Sequence, residues 1–314
     1  NIRRENNSLI LDTQNNEQDF YTVNKILMEN NINYSGIGVS KPSLEDVFVS
    51  LINGKERKGS INMEIANIFW RNIKWRLQNP LTVIMTLLQP LIWLLLYSTV
   101  FNSDFTGISS GSYTGFILPG ILVLVIFASS GSSGVINYIM KNKGSFYRIQ
   151  ISPVRRSSVI LGHILDSAVL SYLEIAVLFI ISFFLSAKFS LEIFDLIPLI
   201  ILFFLVIFFI SSFSYTLSLI LPDENIFFVI INTFVLPVFF VSTALIPYEH
   251  ISSGYKTIVL LNPFTHVINS IRNIILENTT DWRLFLNSAG IMGILCIFSF
   301  ILSVYYLNKS SNNI

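Results

Sequence analysis

The chain is poor in charge. Only 12% of its 314 residues are Asp, Glu, Lys or Arg, about half the share found in soluble domains. The charges nearly cancel, leaving a net charge of +1. No concentrated basic surface is available for a phosphate backbone, so no nucleic-acid partner is expected. The single cysteine, Cys296, stands inside an apolar run. It has no partner for an internal disulfide and reads as a small core residue. Of the three histidines, His250 and His266 lack a nearby pair of acids, so no metal site is expected. No G-x-x-x-x-G-K-[ST] run occurs, so the sequence encodes no backbone cradle or lysine for the phosphates of ATP. No signal peptide is visible, because the first 58 residues are polar and mixed. The chain begins at Asn1 rather than methionine, and a fragment of something longer is expected.

What is abundant is apolar sequence. Hydrophobic residues make up 52% and mean hydropathy is +0.63. Six long runs, near residues 81–101, 116–138, 159–186, 196–221, 226–246 and 284–307, each approach the roughly 20 residues that span a bilayer. A soluble enzyme is thereby excluded. Lys55, Arg57, Lys58, Arg71, Lys74 and Arg76 precede the first run, and Lys141, Lys143, Arg148, Arg155 and Arg156 lie between the second and third. The segments after the first and third runs are almost uncharged. The positive-inside rule therefore places both termini and the 139–158 loop in the cytoplasm.

The spacing predicts an amphipathic helix over 61–78. Ile61, Ile65, Ile68, Phe69, Ile73 and Leu77 form its apolar stripe, and Trp70 and Trp75 suit a headgroup layer. Pro80 ends it or turns the chain into the membrane. Beyond the fifth run, Ile251 to Leu261 and Phe264 to Ile275 read as two short helices folded back against the outer leaflet. The first 58 residues read as a helix (Phe20–Met28), a strand (Ile32–Val39) and a helix (Ser43–Leu51). Ser43 and Asp46 fit a capping pair. Such a segment holds too few large apolar groups for a core of its own.

Several residues stand out chemically. In the 139–158 loop, Phe146 and Tyr147 offer apolar anchors and Lys143 and Arg148 charged contacts, the residue types that dominate interface energetics; ordinary positive-inside charge would leave a similar pattern. In the third run, Glu174 sits near mid-membrane, where an acid costs about 2.5–3.5 kcal/mol to insert. Asp166 lies nearer the cytoplasmic end, where it can hydrate, and His163 precedes it by three residues, within reach on a helix. A proton relay through His163, Asp166 and Glu174 is one reading; buried hydrogen bonding to a neighbouring span, with Glu174 protonated, is the simpler one. The Ser-Ser-Gly-Ser-Ser-Gly stretch at 129–134 suits close helix packing.

Two kinds of segment carry a resemblance. Lys41 to Gly54, KPSLEDVFVSLING, resembles the C-terminal end of the ATP-binding subunit of ATP-binding-cassette exporters. Gly144 to Leu165 and Leu245 to Arg272 resemble the cytoplasmic loop and the outer Asn-Pro-x-Thr segment of ABC-2 type permeases, six-span exporters of drugs, antibiotics and lipid-linked glycans. The resemblance implies an all-α membrane protein with six transmembrane helices, an interfacial helix before the first and short outer helices before the last. Residues 59–314 would be the transmembrane domain. Residues 1–58 would be a small α/β remnant of a nucleotide-binding domain plus linker. It further implies a bacterial cytoplasmic membrane, an ABC ATPase partner carrying ATP and Mg, no cofactor on this chain, and a homodimer or pairing with a similar permease. The function implied is the permease part of an ATP-driven exporter of an amphipathic substrate. Lys143, Gly144, Phe146, Tyr147, Arg148 and Pro153 would form the ATPase-docking loop, and Asn262, Pro263, His266 and Arg272 an outer gate. The rival is an ion-coupled transporter or channel using Asp166 and Glu174; an internal repeat would support it, and none is visible.

Overall fold

A computed structural model describes residues 2–5, 8–11, 25, 27–29, 61–78, 80–100, 113–144, 146, 154–185, 189, 192–277 and 280–312. The chain divides into two units, Asn1–Glu56 and Arg57–Ile314. In the first, strands β1 (Ile2–Glu5) and β2 (Ser8–Leu11) pair antiparallel, with Ile2 opposite Leu11 and Glu5 opposite Ser8. The sequence pattern did not predict this hairpin, because four-residue strands carry too little alternation to register. Residues 25 and 27–29 are helical, overlapping the helix expected at 20–28. The strand expected at 32–39 and the helix at 43–51 lie outside the described residues.

The second unit is helical. Helices α1 (Ile61–Gln78) and α2 (Pro80–Val100) precede α3 (Tyr113–Gly131), which passes through a 3-10 turn at Ser132–Gly134 into α4 (Val135–Asn142). Then come α5 (Arg156–Phe184), α6 (Leu196–Ile220), α7 (Glu224–Phe240), α8 (Ser253–Leu261), α9 (Pro263–Leu276) and α10 (Trp282–Asn312). Four segments are long and apolar enough to cross a membrane: Tyr113–Asn142, Arg156–Phe184, Ile193–Ile220 and Trp282–Ser310. Ile84–Thr99 and Glu224–Phe240 are shorter apolar helices. All six lie where apolar runs were read.

The rod formed by α3 and α4 is the centre of the bundle, with 94% of its apolar window buried against α2, α5, α6 and α9. Its inner face, from Phe116 to Phe127, holds the main apolar core with Leu202, Phe203 and Val206 of α6 and Val267, Ile268 and Ile271 of α9. The break in the rod follows from its serines. Ser132 and Ser133 turn their hydroxyls back onto the Ser129 and Ser130 carbonyls at 2.9 and 2.5 Å, and Ser214 of α6 donates to Gly131 O at 2.6 Å. Hydroxyls that bond to helix carbonyls in this way compete with the regular ladder. By contrast, α2 buries only Pro90, Leu94 and Ser98 among its described side chains, and α7 only Phe227 and Phe239.

Candidate functional site

Three polar regions interrupt the apolar bundle. The first is the end formed by α4, the start of α5 and α1. After α4 the chain turns: Lys143 N donates to Ile139 O at 3.1 Å, Gly144 N to Lys141 O at 3.0 Å, and Gly144 adopts φ +68°. A residue without Cβ takes that left-handed conformation at little cost, which is why glycine closes so many helices. Lys143 and Gly144 are exposed. Phe146 is not: it is 3% exposed and lies under the Lys141 ammonium, 5.6 Å from its ring centre. Phe146, expected as an apolar anchor, has its ring buried in the cluster around Ile136, Met140, Val159 and Ile160. Tyr147, Arg148 and Pro153 lie outside the described residues.

Helix α1 forms as expected over 61–78, with Ile65, Ile68, Phe69 and Ile73 of the predicted stripe buried or half-buried. Ile61 is exposed, while Ile68 and Asn72 are buried against α5. A Cβ at Gly162 would lie 2.9 Å from the Ile68 side chain, so glycine permits the approach. Glu64 accepts from the Arg155 amide at 3.2 Å, capping the start of α5. Arg76 Nε donates to Asp166 Oδ1 and Oδ2 at 3.1 and 3.0 Å. Three points thus join α1 to the first three turns of α5. Beside them a groove of about 570 Å³ is lined by Ile65, Ala66 and Phe69 of α1, Leu165 and Tyr172 of α5, and Phe204.

The second region is a polar column between α3, α5 and α6. Asp166, expected to hydrate, is instead wholly buried in its pair with Arg76. His163 does not join it; its Nε2 lies 3.2 Å from Ser133 Oγ, and its ring packs 5.0 Å from that of Tyr215. Glu174, also wholly buried, accepts from the Thr86 hydroxyl at 2.6 Å. Ser171 meets Ser129 and Ser130 at 2.7 and 3.1 Å, and Ser211 donates to Ser167 at 3.1 Å. The three candidates are thus turned to three different helices rather than to one another. Thr86, Arg76 and Ser133 were missed by sequence reasoning. Arg76 was visible only as one basic residue among several, and nothing in its spacing named a partner ninety positions away.

The third region is at the opposite end of the bundle. Asn262 caps α9 by accepting from Phe264 N at 3.0 Å, and its amide donates to Val238 O and Val241 O at 2.7 and 2.6 Å. Pro263 occupies the first turn, where its missing N–H costs nothing. His266 Nε2 sits 2.9 Å from Leu260 O. Arg272 reaches inward: Nε donates to Phe116 O at 3.2 Å, Nη1 to Asn269 Oδ1 at 3.0 Å and Nη2 to Thr243 O at 2.6 Å. Its guanidinium lies 3.8 Å from the Phe116 ring centre, a cation–π distance. Asn262 and Arg272 therefore fix α9 to the end of α7 and the start of α3. Among the described residues no group of three or more His, Cys, Asp or Glu gathers.

Residues 63–276, from the first turn of α1 to the end of α9, match the ABC-2 type transporter family. The chain belongs to that family. It is 32% identical over 198 residues to the "Putative transport permease ycf38" of Cyanophora paradoxa, covering 62% of this chain and 68% of that protein. To the protein of the same name from Porphyra purpurea it is 29% identical, covering 67% and 71%. To that of Pyropia yezoensis it is 26% identical, covering 71% and 77%. The ABC-2 chain is a multi-pass membrane protein and a component of membrane transport rather than an enzyme. All three polar regions fall within the matched residues.

Proposed function

We propose that this ABC-2 chain is the membrane-spanning permease of an ATP-driven exporter, moving an amphipathic substrate such as a drug, an antibiotic or a lipid-linked glycan out of the cell. In this reading all six apolar helices cross the bilayer and both termini face the cytoplasm, as the basic residues flanking α1 and α4 indicate. The observation that carries the reading is the attachment of α1 to α5. Glu64 on the Arg155 amide, Ile68 on Gly162 and Arg76 on Asp166 make α1 and the start of α5 one lever at the basic end. A motor that pushed on the 139–158 loop would move both together.

ABC-2 permeases work with an ATPase, and ATP and Mg would be bound there. The exposed Lys143 and Gly144 offer its docking surface, and residues 1–58 would be the end of an ATPase domain. Two copies, or this chain and a similar one, would enclose the path, with α8 and α9 as its outer gate. The bacterial cytoplasmic membrane is carried over from the exporters it resembles. The ion-driven alternative is weakened because Asp166 and His163 are each engaged elsewhere and form no relay with Glu174.

The test is transport in everted vesicles containing the chain and its ATPase. Replacing the nucleotide-cradling lysine of that ATPase should abolish transport, and a protonophore should leave it intact. Transport that survives the first and collapses with the second would sink the reading. Lys143→Glu should lower substrate-stimulated ATP hydrolysis several-fold while the isolated ATPase is unaffected.

A further inference from the structure

Glu174 is an acid buried near mid-helix for which the described residues supply no cation. Asp166, two turns earlier on α5, has Arg76. The Glu174 side chain is inaccessible; Oε1 accepts from Thr86, and Oε2 has no hydrogen-bond partner among the described residues. Around it stand Ser129 and Ser130 of α3 and Ser171 of α5, all inaccessible.

The hydroxyl protons of this cluster can be followed one by one. Ser129 donates to Val125 O at 3.0 Å. Its 2.7 Å contact with Ser171 then uses the Ser171 proton, and the 3.1 Å contact between Ser130 and Ser171 uses the Ser130 proton. Thr86 gives its proton to Oε1. On this accounting the carboxyl receives the proton of Thr86, and Ser129 stands near enough to offer a second only by releasing Val125 O. An ionised carboxylate has about four lone-pair sites to satisfy, and an unpaired charge in an apolar bundle instead takes up a proton. A metal ion fits less well. Hard cations need six or more oxygens, whereas here one carboxylate stands among hydroxyls already engaged with each other.

We propose that Glu174 is a proton-binding site: neutral while α2 is docked on α5, and ionised when α2 moves away and admits water. Helix α2 packs mainly on α3 and meets α5 over a short stretch that includes Thr86 on Glu174, so a small shift at that stretch would open the carboxyl. The groups that face Glu174 do not substitute for it. From α1 comes Arg76, already paired, and on α5 itself are Asp166 and Tyr172. Helix α2 has no titratable side chain before Tyr97, α3 none after Tyr113, and α10 only Cys296 between Arg283 and Tyr305. From α6 comes Tyr215, whose ring lies against His163.

The docked state thus holds one proton more than the undocked state. Raising the pH disfavours docking, by at most tenfold in the docked-to-undocked ratio per pH unit for one proton. The test uses the full chain in lipid nanodiscs without ATP or a partner ATPase, so failure of the exporter reading leaves it unaffected. Infrared spectra at neutral pH should contain a protonated-carboxyl band that Glu174→Gln removes. Spin labels replacing Leu88 and Leu173, both exposed, should separate as pH rises, and Glu174→Gln should abolish that response. If Glu174→Gln does not fold, Thr86→Val keeps the acid and should shift the separation to lower pH. Absence of the band, a pH response that persists without Glu174, no shift in Thr86→Val, or a response that follows sodium rather than pH would each overturn the proposal.

Discussion

Consider what removing one partner of the Arg76–Asp166 pair would do. The Asp166 carboxylate is wholly buried and the Arg76 side chain is 11% exposed, with Nε 3.0 and 3.1 Å from the two oxygens. Arg76→Met leaves a buried carboxylate with no cation, a class of change that costs about 3–5 kcal/mol. Asp166→Leu leaves an arginine whose long stem can swing its head towards water, so it should cost less, about 1–3 kcal/mol on the scale of lost charged hydrogen bonds. The double variant removes both charges and fills the space with apolar side chains; such replacements are often neutral or stabilising. The two single effects should therefore fail to add, with a coupling of about 2 kcal/mol or more. Unfolding in mixed micelles by increasing detergent denaturant would measure all four stabilities. Protease cleavage within α1 would show whether the loss is local, since this pair is one of three attachments to α5. If Arg76→Met costs no more than an exposed substitution, or if the single effects add, the pair is a solvated contact and the argument for a rigid lever fails.

Other expectations follow from individual contacts. Gly162→Leu would place carbon atoms within 2.9 Å of Ile68 and 3.2 Å of Ile65 O. It should lift α1 from α5 at a cost of about 1–3 kcal/mol, read as faster labelling of a cysteine placed at Ile68. Arg272→Lys should not rescue Arg272→Met, because an ammonium cannot donate in the three directions that reach Phe116 O, Asn269 and Thr243 O; both variants should be thermally less stable than the parent. Asn262→Ala removes the cap of α9 and both bonds to the end of α7, so it should exceed the roughly 1 kcal/mol of a simple cap loss. Hydrogen exchange at the first amides of α9 would show it. Gly144→Ala, at φ +68° with open space around it, should cost about 1 kcal/mol or slightly more through backbone strain alone, measurable as a lower unfolding midpoint with unchanged packing elsewhere.

Much of the helical layout was legible because apolar length is a local property. Runs of Leu, Ile and Phe set where α2, α3, α5, α6, α7 and α10 lie. The cap at Asn262 is local, since its oxygen reaches only two residues along the chain, but its two bonds to the end of α7 are not. The exposure of Ile61 was not legible because a hydrophobic stripe records which residues avoid water without recording whether lipid or protein covers them. Ile61 and Ile68 look alike in sequence, yet only Ile68 meets Gly162.

The shortage of charge and the six apolar runs by themselves determined that this chain is a membrane protein, because each acts through composition within a few residues. Partner choice was decided only by the tertiary structure. His163, Asp166 and Glu174 lie within twelve positions on one helix, and no local rule distinguishes them. Folding gave Asp166 an arginine from α1, His163 a serine from the break in α3, and Glu174 a threonine from α2. Those assignments depend on which helices cross at which height, and so the same three residues became a clamp, a packing contact and an acid with no cation among the described residues.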